Sequence, residues 1–308
     1  EGIPWAAHGV TNVRRVYDWT GVDVWILGHR QFPVAKGTAG LYSSRKVGMK
    51  KYIRLWLKLT INSFQTALSN RLSAGMFFVA KLLRFVFFLI FLVSLFARTE
   101  FLASYTVTQT IFFFLTYNIL DTATQLFYRE VYRFRPMVVS GDFDLVLVKP
   151  MNPLFRALAG GADPMDLFMM IPYIGALVYV ASLLNHVNIG NISLYFLLLL
   201  NGFLLATGFH ILVLALAIVT TEIDHAIMIY RDIVSMGRVP IDIYGEPLRS
   251  VLTFVIPVGI MMTFPAKALM GLLTPGWVLV SIIVSSTFFF VCVRLWRYAL
   301  TQYSSASS

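Results

Sequence analysis

One cysteine, Cys292, is all the thiol this chain contains, and it falls inside the last apolar run. No disulfide can form within the chain, and no metal site can be built on thiolates. Charge is scarce too: 13% of residues are Asp, Glu, Lys or Arg against 58% hydrophobic, and the mean hydropathy is +0.74. That balance lies outside the range of soluble globular domains. Familiar catalytic signatures are missing: there is no His-Glu-x-x-His, no Gly-x-Ser-x-Gly and no glycine-rich phosphate loop ending in Gly-Lys-Ser/Thr. The five histidines, at 8, 29, 186, 210 and 225, have no metal-ligand spacing. His210, inside a long apolar run, reads as a hydrogen-bonded core residue rather than a ligand. If ATP drives any process here, the ATPase is another polypeptide.

What the chain has in abundance is apolar length. The runs Phe85 to Ala97 and Tyr195 to Thr220 would expose a large apolar surface in water, so lipid is the solvent they suit. The net charge is +10, but the basic residues sit at the ends of apolar segments and form no patch interleaved with exposed aromatics. That excludes nucleic acid as the expected partner and points to orientation of spans in a membrane.

Residues 1–48 read differently, with Trp5, Trp19 and Trp25 scattered among glycines and charges and no sustained helical or strand period. The expectation is a leader outside the fold over 1–48, with Met49 the natural start, the alternative being a small cytoplasmic extension. Residues 49–308 then form an all-α membrane domain. It opens with an amphipathic interfacial helix: Ile53, Leu57, Ile61, Phe64, Leu68 and Leu72 share one face and Lys51, Lys58, Asn62, Gln65 and Ser69 the other. Spans follow at about 74–97 and 104–128. After a polar connection, a third begins cleanly with Asp163 as N-cap and Pro164 at the first helical position, and a fourth fills about 191–220. The fifth is ambiguous. Hydropathy favours Val251 to Phe264, whereas Ile223 to Tyr244 spans if Arg231, Asp232 and Arg238 face protein or a cavity, which turns Leu248 to Gly271 into a re-entrant hairpin. The last span covers Trp277 to Val293. Either reading gives about six transmembrane helices, and the excess of Lys and Arg on alternate connections places both termini in the cytoplasm.

Polar groups within the spans are the first candidates for function. Asn118, Asp121, Thr122 and Gln125 form one stripe on the second span, and Lys81 and Arg84 do the same on the first. Arg84 lies ~15 Å along its span and Asp121 ~10 Å from the cytoplasmic end of its own. That allows an Asp121–Arg84 or Asp121–Lys81 pair, either as structural neutralisation or as the lining of a pathway. The second candidate is the connection from Arg135 to Arg156. It is unusually apolar for a loop, turns at Ser140-Gly141-Asp142 and is limited by Pro150 and Pro153, which suits docking into a partner's groove or packing on the protein's own inner face.

Four stretches together resemble the permease subunits of type-2 ATP-binding-cassette exporters, in a bacterial six-span branch. They are the amphipathic opening from Lys50, the segment Val139 to Phe155, the run Pro240-Ile-Asp-Ile-Tyr244, and the stretch from Leu248 through Phe264-Pro265-Ala266 to Gly271. The resemblance implies a dimer of two permeases in the bacterial inner membrane, identical or homologous, around an export pathway. It also implies separate nucleotide-binding subunits that hold ATP and Mg2+, with no cofactor or catalytic site on this chain. It places Gly141, Asp142, Asp144, Lys149, Pro150, Asn152 and Pro153 at the ATPase contact. It matches Tyr230-Arg231-Asp232-Ile233 to the start of the fifth span and favours the re-entrant hairpin. Arg238, a charge near the middle of that span, departs from the family pattern. The rival reading is an ion-coupled secondary transporter with Asp121 as its ion site; a membrane-embedded transferase would need a clustered acid, base or metal set that the sequence lacks.

Overall fold

The structure, a computed structural model, describes residues 13–17, 23–27, 48–185, 187–220 and 223–303. Two units are distinguished, 1–43 and 44–308. In the first, β1 (Val13–Tyr17) pairs antiparallel with β2 (Asp23–Leu27), with Val13 opposite Leu27 and Tyr17 opposite Asp23. The sequence reading found no strand there, because five-residue strands hold few repeats of a two-residue period.

The second unit is helical. α1 (Met49–Ser69) is the amphipathic helix expected, and its apolar stripe does not face the protein. Ile53, Leu57 and Ile61 are each about half exposed, while the neighbouring side carrying Tyr52, Trp56, Thr60 and Ser63 packs inward. Asn152 N donates to the Tyr52 hydroxyl (3.1 Å), Ala162 N donates to Thr60 Oγ1 (3.2 Å), and Trp56 stacks on Phe127 with centroids 5.7 Å apart. The helix leaves its oily stripe for lipid and binds its own bundle through polar groups and rings.

α2 (Arg71–Phe96) and α3 (Val107–Tyr128) follow. α3 starts on a reciprocal cap: Thr106 Oγ1 accepts from Gln109 N (3.4 Å), and Gln109 Oε1 accepts from Thr106 N (2.9 Å). Three short helices, α4 (Phe134–Val139), α5 (Asp142–Leu147) and α6 (Pro153–Leu158), make the connection to α7 (Pro164–Ser182). α7 begins as the sequence predicts, with Asp163 Oδ1 accepting from Met165 N (2.9 Å) ahead of Pro164.

α8 (Ile189–Thr220) is the axis of the unit. Two-thirds of its most apolar stretch is buried inside the protein, against less than a fifth for α2, α7 and α12 (Pro275–Gln302). Polar clasps seat its neighbours. Asn201 Nδ2 donates to Ser285 Oγ on α12 (2.8 Å), and the hydroxyls of Thr207 and Tyr128 on α3 lie 2.7 Å apart. Such bonds suit a bilayer interior, where burial of apolar surface gives no preference for protein over lipid.

Four helices among the described residues (α2, α7, α8 and α12) are long and apolar enough to cross a membrane. A helical pair, α10 (Leu248–Val255) and α11 (Gly259–Leu269), makes five if counted as one span, and it is bent by 81°. Pro257 sits at the bend, where it cannot donate to the preceding turn. The hairpin expected over Leu248 to Gly271 falls on this bent pair, whose 81° bend is the geometry of a broken span as well as of a re-entrant loop. The fifth span expected over Ile223 to Tyr244 is not one helix. α9 (Ile223–Ser235) has 13 residues and gives way to 3-10 turns at Met236–Arg238 and Ile241–Ile243, because Gly237 and Pro240 interrupt it. The segment nonetheless runs the length of α3. Arg231 lies over the Tyr132 ring just beyond the C-terminal end of α3 (5.8 Å), and Asp242 accepts from the hydroxyl of Tyr105 just before its N-terminus (2.9 Å).

Candidate functional site

A polar cavity of about 90 Å3 opens among the helices. α2 contributes Lys81 and Arg84, α3 contributes Asn118, Asp121, Thr122 and Gln125, α7 adds Asp166, α9 adds Arg231, and the turn after α9 adds Arg238. A second recess of about 250 Å3 shares Arg84, Tyr117, Asp121, Arg231 and Arg238 with it and extends past Asp232. All five intramembrane candidates named from sequence, Lys81, Arg84, Asn118, Asp121 and Gln125, therefore meet at one place.

Their pairing differs from expectation. Lys81 Nζ donates to Asp166 Oδ1, not to Asp121, and Arg129 approaches the other Asp166 oxygen at 3.7 Å and Asp163 at 3.2 Å. The first turn of α7 stands level with Lys81, so its nearer carboxylate takes the ammonium. Asp121 Oδ2 accepts from Gln125 Nε2 (2.7 Å), one turn along its own helix. Among the described residues no ion pair joins Asp121 to Arg84 or Lys81. Asn118 is likewise occupied locally, its Nδ2 donating to Phe114 O (2.7 Å).

The site also includes Asp166, which the sequence reading does not single out, and Arg231 and Arg238, which it expects to face protein or a cavity if their segment spans. Arg238 is accommodated by aromatic faces, with its guanidinium 5.7 Å from the Phe88 ring centre and 5.8 Å from that of Tyr117. The usable signal was chemical: an arginine in a span must face a cavity or a partner. His210, by contrast, is the core residue expected, with Nδ1 2.8 Å from Ala206 O and its ring among Tyr128, Tyr132 and Tyr230.

The second candidate region is the α4–α6 connection. Gly141 holds φ +78°, the left-handed region, and so reverses the chain between α4 and α5. Asp142 is exposed and accepts from the Ser140 hydroxyl (2.7 Å). One side of α5 is fixed: Phe143 is fully buried, with its ring 5.0 Å from that of Phe134 and 5.3 Å from that of Tyr303 at the end of α12. Burial and the Asp144 carboxylate push the Tyr303 phenol above its usual range. The other side presents apolar surface, with Val139 64%, Leu145 46% and Val148 80% exposed. Pro150 and Asn152 are also exposed and Lys149 partly so. Pro153 is buried at the first position of α6, where Asn152 Oδ1 caps Leu154 N (2.9 Å), so it shapes the segment from within rather than offering a surface. Behind it, Arg156 Nη1 donates to Glu130 Oε1 (2.7 Å), tying α6 to the turn that follows α3.

A family model described as an ABC-2 family transporter protein matches residues 82–307. The chain belongs to that family. The match takes in the α4–α6 connection and every cavity residue except Lys81, which lies one position before it. As an ABC-2 transporter protein it is a multi-pass membrane component of a transport system and not itself the catalyst; permeases of this kind generally work with an ATPase subunit. No curated protein and no solved structure matches the chain.

Proposed function

We propose that this ABC-2 family member is the permease subunit of an ATP-driven exporter in a bacterial inner membrane, paired with a second permease and coupled to separate ATPase subunits that bind ATP and Mg2+. The observation that carries the coupling is the α4–α5 corner. It is anchored on one side by Phe143 against Phe134, Trp296 and Tyr303, and it is apolar and exposed on the other at Val139, Leu145 and Val148. A partner pressing on that surface moves α12 and the end of α3 with it, rocking the spans as rigid bodies.

Six crossings suit the same reading. α3, 22 residues and ~33 Å long, supplies one, although its polar stripe lowers its hydropathy. The α9 segment supplies another, since it meets α3 near both ends. Both termini then lie in the cytoplasm, in line with the positive charge of the connections.

The test is co-purification of tagged protein from membranes, with mass spectrometry of what accompanies it. Wild type is expected to bring down a nucleotide-binding subunit, and Leu145→Asp/Val148→Asp to lose it while still eluting as a folded species. Absence of any ATPase with wild type would discard the reading. Transport that collapses with an uncoupler while ATP is maintained, and that fails in Asp121→Asn, would establish ion coupling instead.

A further inference from the structure

We propose that the intramembrane cavity binds the anionic headgroup of an amphiphile, a phosphate or carboxylate, with Arg84, Arg231 and Arg238 as its ligands. The cavity and its recess hold the cations Lys81, Arg84, Arg231 and Arg238 and the carboxylates Asp121, Asp166 and Asp232. These do not cancel in place. Asp166 is taken by Lys81 and Arg129, and Asp232 is exposed. That leaves three guanidinium groups around Asp121, whose Oδ2 is bonded to Gln125. Positive charge is thus in excess inside the membrane-spanning region, where uncompensated charge is disfavoured and marks a ligand path.

The groups also have the right form. Guanidinium forks match the paired oxygens of phosphate and carboxylate. Arg238 is held between the Phe88 and Tyr117 rings, with its guanidinium carbon 5.7 and 5.8 Å from their centres, and rings do not use up its hydrogen-bond donors as a carboxylate would. The space is headgroup-sized: the two volumes, about 90 and 250 Å3, each fall below the ~300 Å3 at which pockets begin to enclose a drug-sized ligand. Beside Arg84 the outer face of α2 exposes Leu83, Phe87 and Phe91, a surface along which an acyl chain can lie while its headgroup turns inward. Calling this ligand cargo rests on the permease reading; binding of the headgroup does not.

The test titrates the full chain, purified in uncharged detergent, with short-chain phosphatidylglycerol, phosphatidylcholine and inorganic phosphate, followed by native mass spectrometry. Phosphatidylglycerol is expected to bind in preference to phosphatidylcholine, with Arg84→Gln and Arg238→Gln each weakening it about tenfold or more. Lys58→Gln on α1 should leave it unchanged. Asp121→Asn, which removes the competing carboxylate, is expected to tighten binding and keeps the test decisive if an arginine variant does not fold. Phosphate binding with the same arginine dependence would assign the site to a free anion. Equal affinity for the two lipids, or no effect of the Arg84, Arg238 and Asp121 changes, would overturn the proposal. Headgroup binding by a chain that recovers no ATPase would retain the site and sink its use for ATP-driven cargo.

Discussion

Lys81 of α2 and Asp166 in the first turn of α7 are joined as an ion pair, with side-chain exposures of 31% and 2%. α2 is otherwise weakly held: only 11% of its most apolar stretch is buried in the protein. This pair is therefore a main attachment of the first span to its neighbours. Asp166 pays the larger desolvation cost because it is the more enclosed partner.

Removing the cation alone should be costly. Lys81→Met is expected to destabilise the protein by about 3 kcal/mol, the low end for a broken buried pair, since Lys81 is partly wetted and Arg129 remains near Asp166. Lys81→Met combined with Asp166→Asn should recover part of that loss, with a coupling of about 1–3 kcal/mol. Thermal unfolding of the four species in one detergent measures it, and strict additivity would mean that the pair contributes nothing.

Gly141 tests the turn between α4 and α5. A Cβ there would meet only Asp144 Oδ2, at 3.8 Å, so the penalty of Gly141→Ala is backbone conformation alone, about 1–2 kcal/mol. Gly141→Asn should cost less than Gly141→Ala, and Gly141→Val more, because asparagine tolerates the left-handed region and valine does not. Equal effects of all three would show that the φ of +78° is unimportant.

Gly202 tests the seat of the bent pair. A Cβ at this position of α8 would fall 2.6 Å from Met261 O, a backbone atom of α11 that cannot swing away. Gly202→Ala is expected to cost about 1–3 kcal/mol through displaced helices. Gly276→Ala, with open space at its Cβ, is the control and should change little.

Cys292 makes orientation directly measurable. It is 1% exposed, so the native protein should resist maleimides until denatured. Val148→Cys places a thiol at a side chain 80% exposed. In vesicles from cells that lack the partner ATPase, a membrane-impermeant maleimide should label it when the vesicles are inside-out and not when they are right-side-out. The reverse pattern would invert the topology.

What the sequence made legible follows from where the information is local. Asp163-Pro164 announces the start of α7, and the uninterrupted run to Thr220 announces α8, because caps and hydropathy act over one or two turns. The five intramembrane polar residues were visible for the same reason: each breaks an apolar run. Their partners were not, since Lys81 and Asp166 are 85 positions apart and only the arrangement of helices decides which carboxylate is nearest. α1 shows a limit particular to membranes. An apolar stripe at Ile53, Leu57 and Ile61 is legible as lipid-facing, whereas the Tyr52, Trp56 and Thr60 side that packs on the bundle carries no periodic signal of its own. Gly237 and Pro240 were legible as interruptions, yet only the contacts of Asp242 and Arg231 with the two ends of α3 show that the interrupted segment keeps going.

Asp242 meets both the hydroxyl of Tyr105 and the ammonium of Lys267, which lies 2.7 Å from Oδ2. One side chain thus knots together the loop before α3, the turn that ends the α9 segment, and α11. Displacing any one of the three must break or stretch its bond to this carboxylate, so the far ends of three separate stretches of chain are held as one piece.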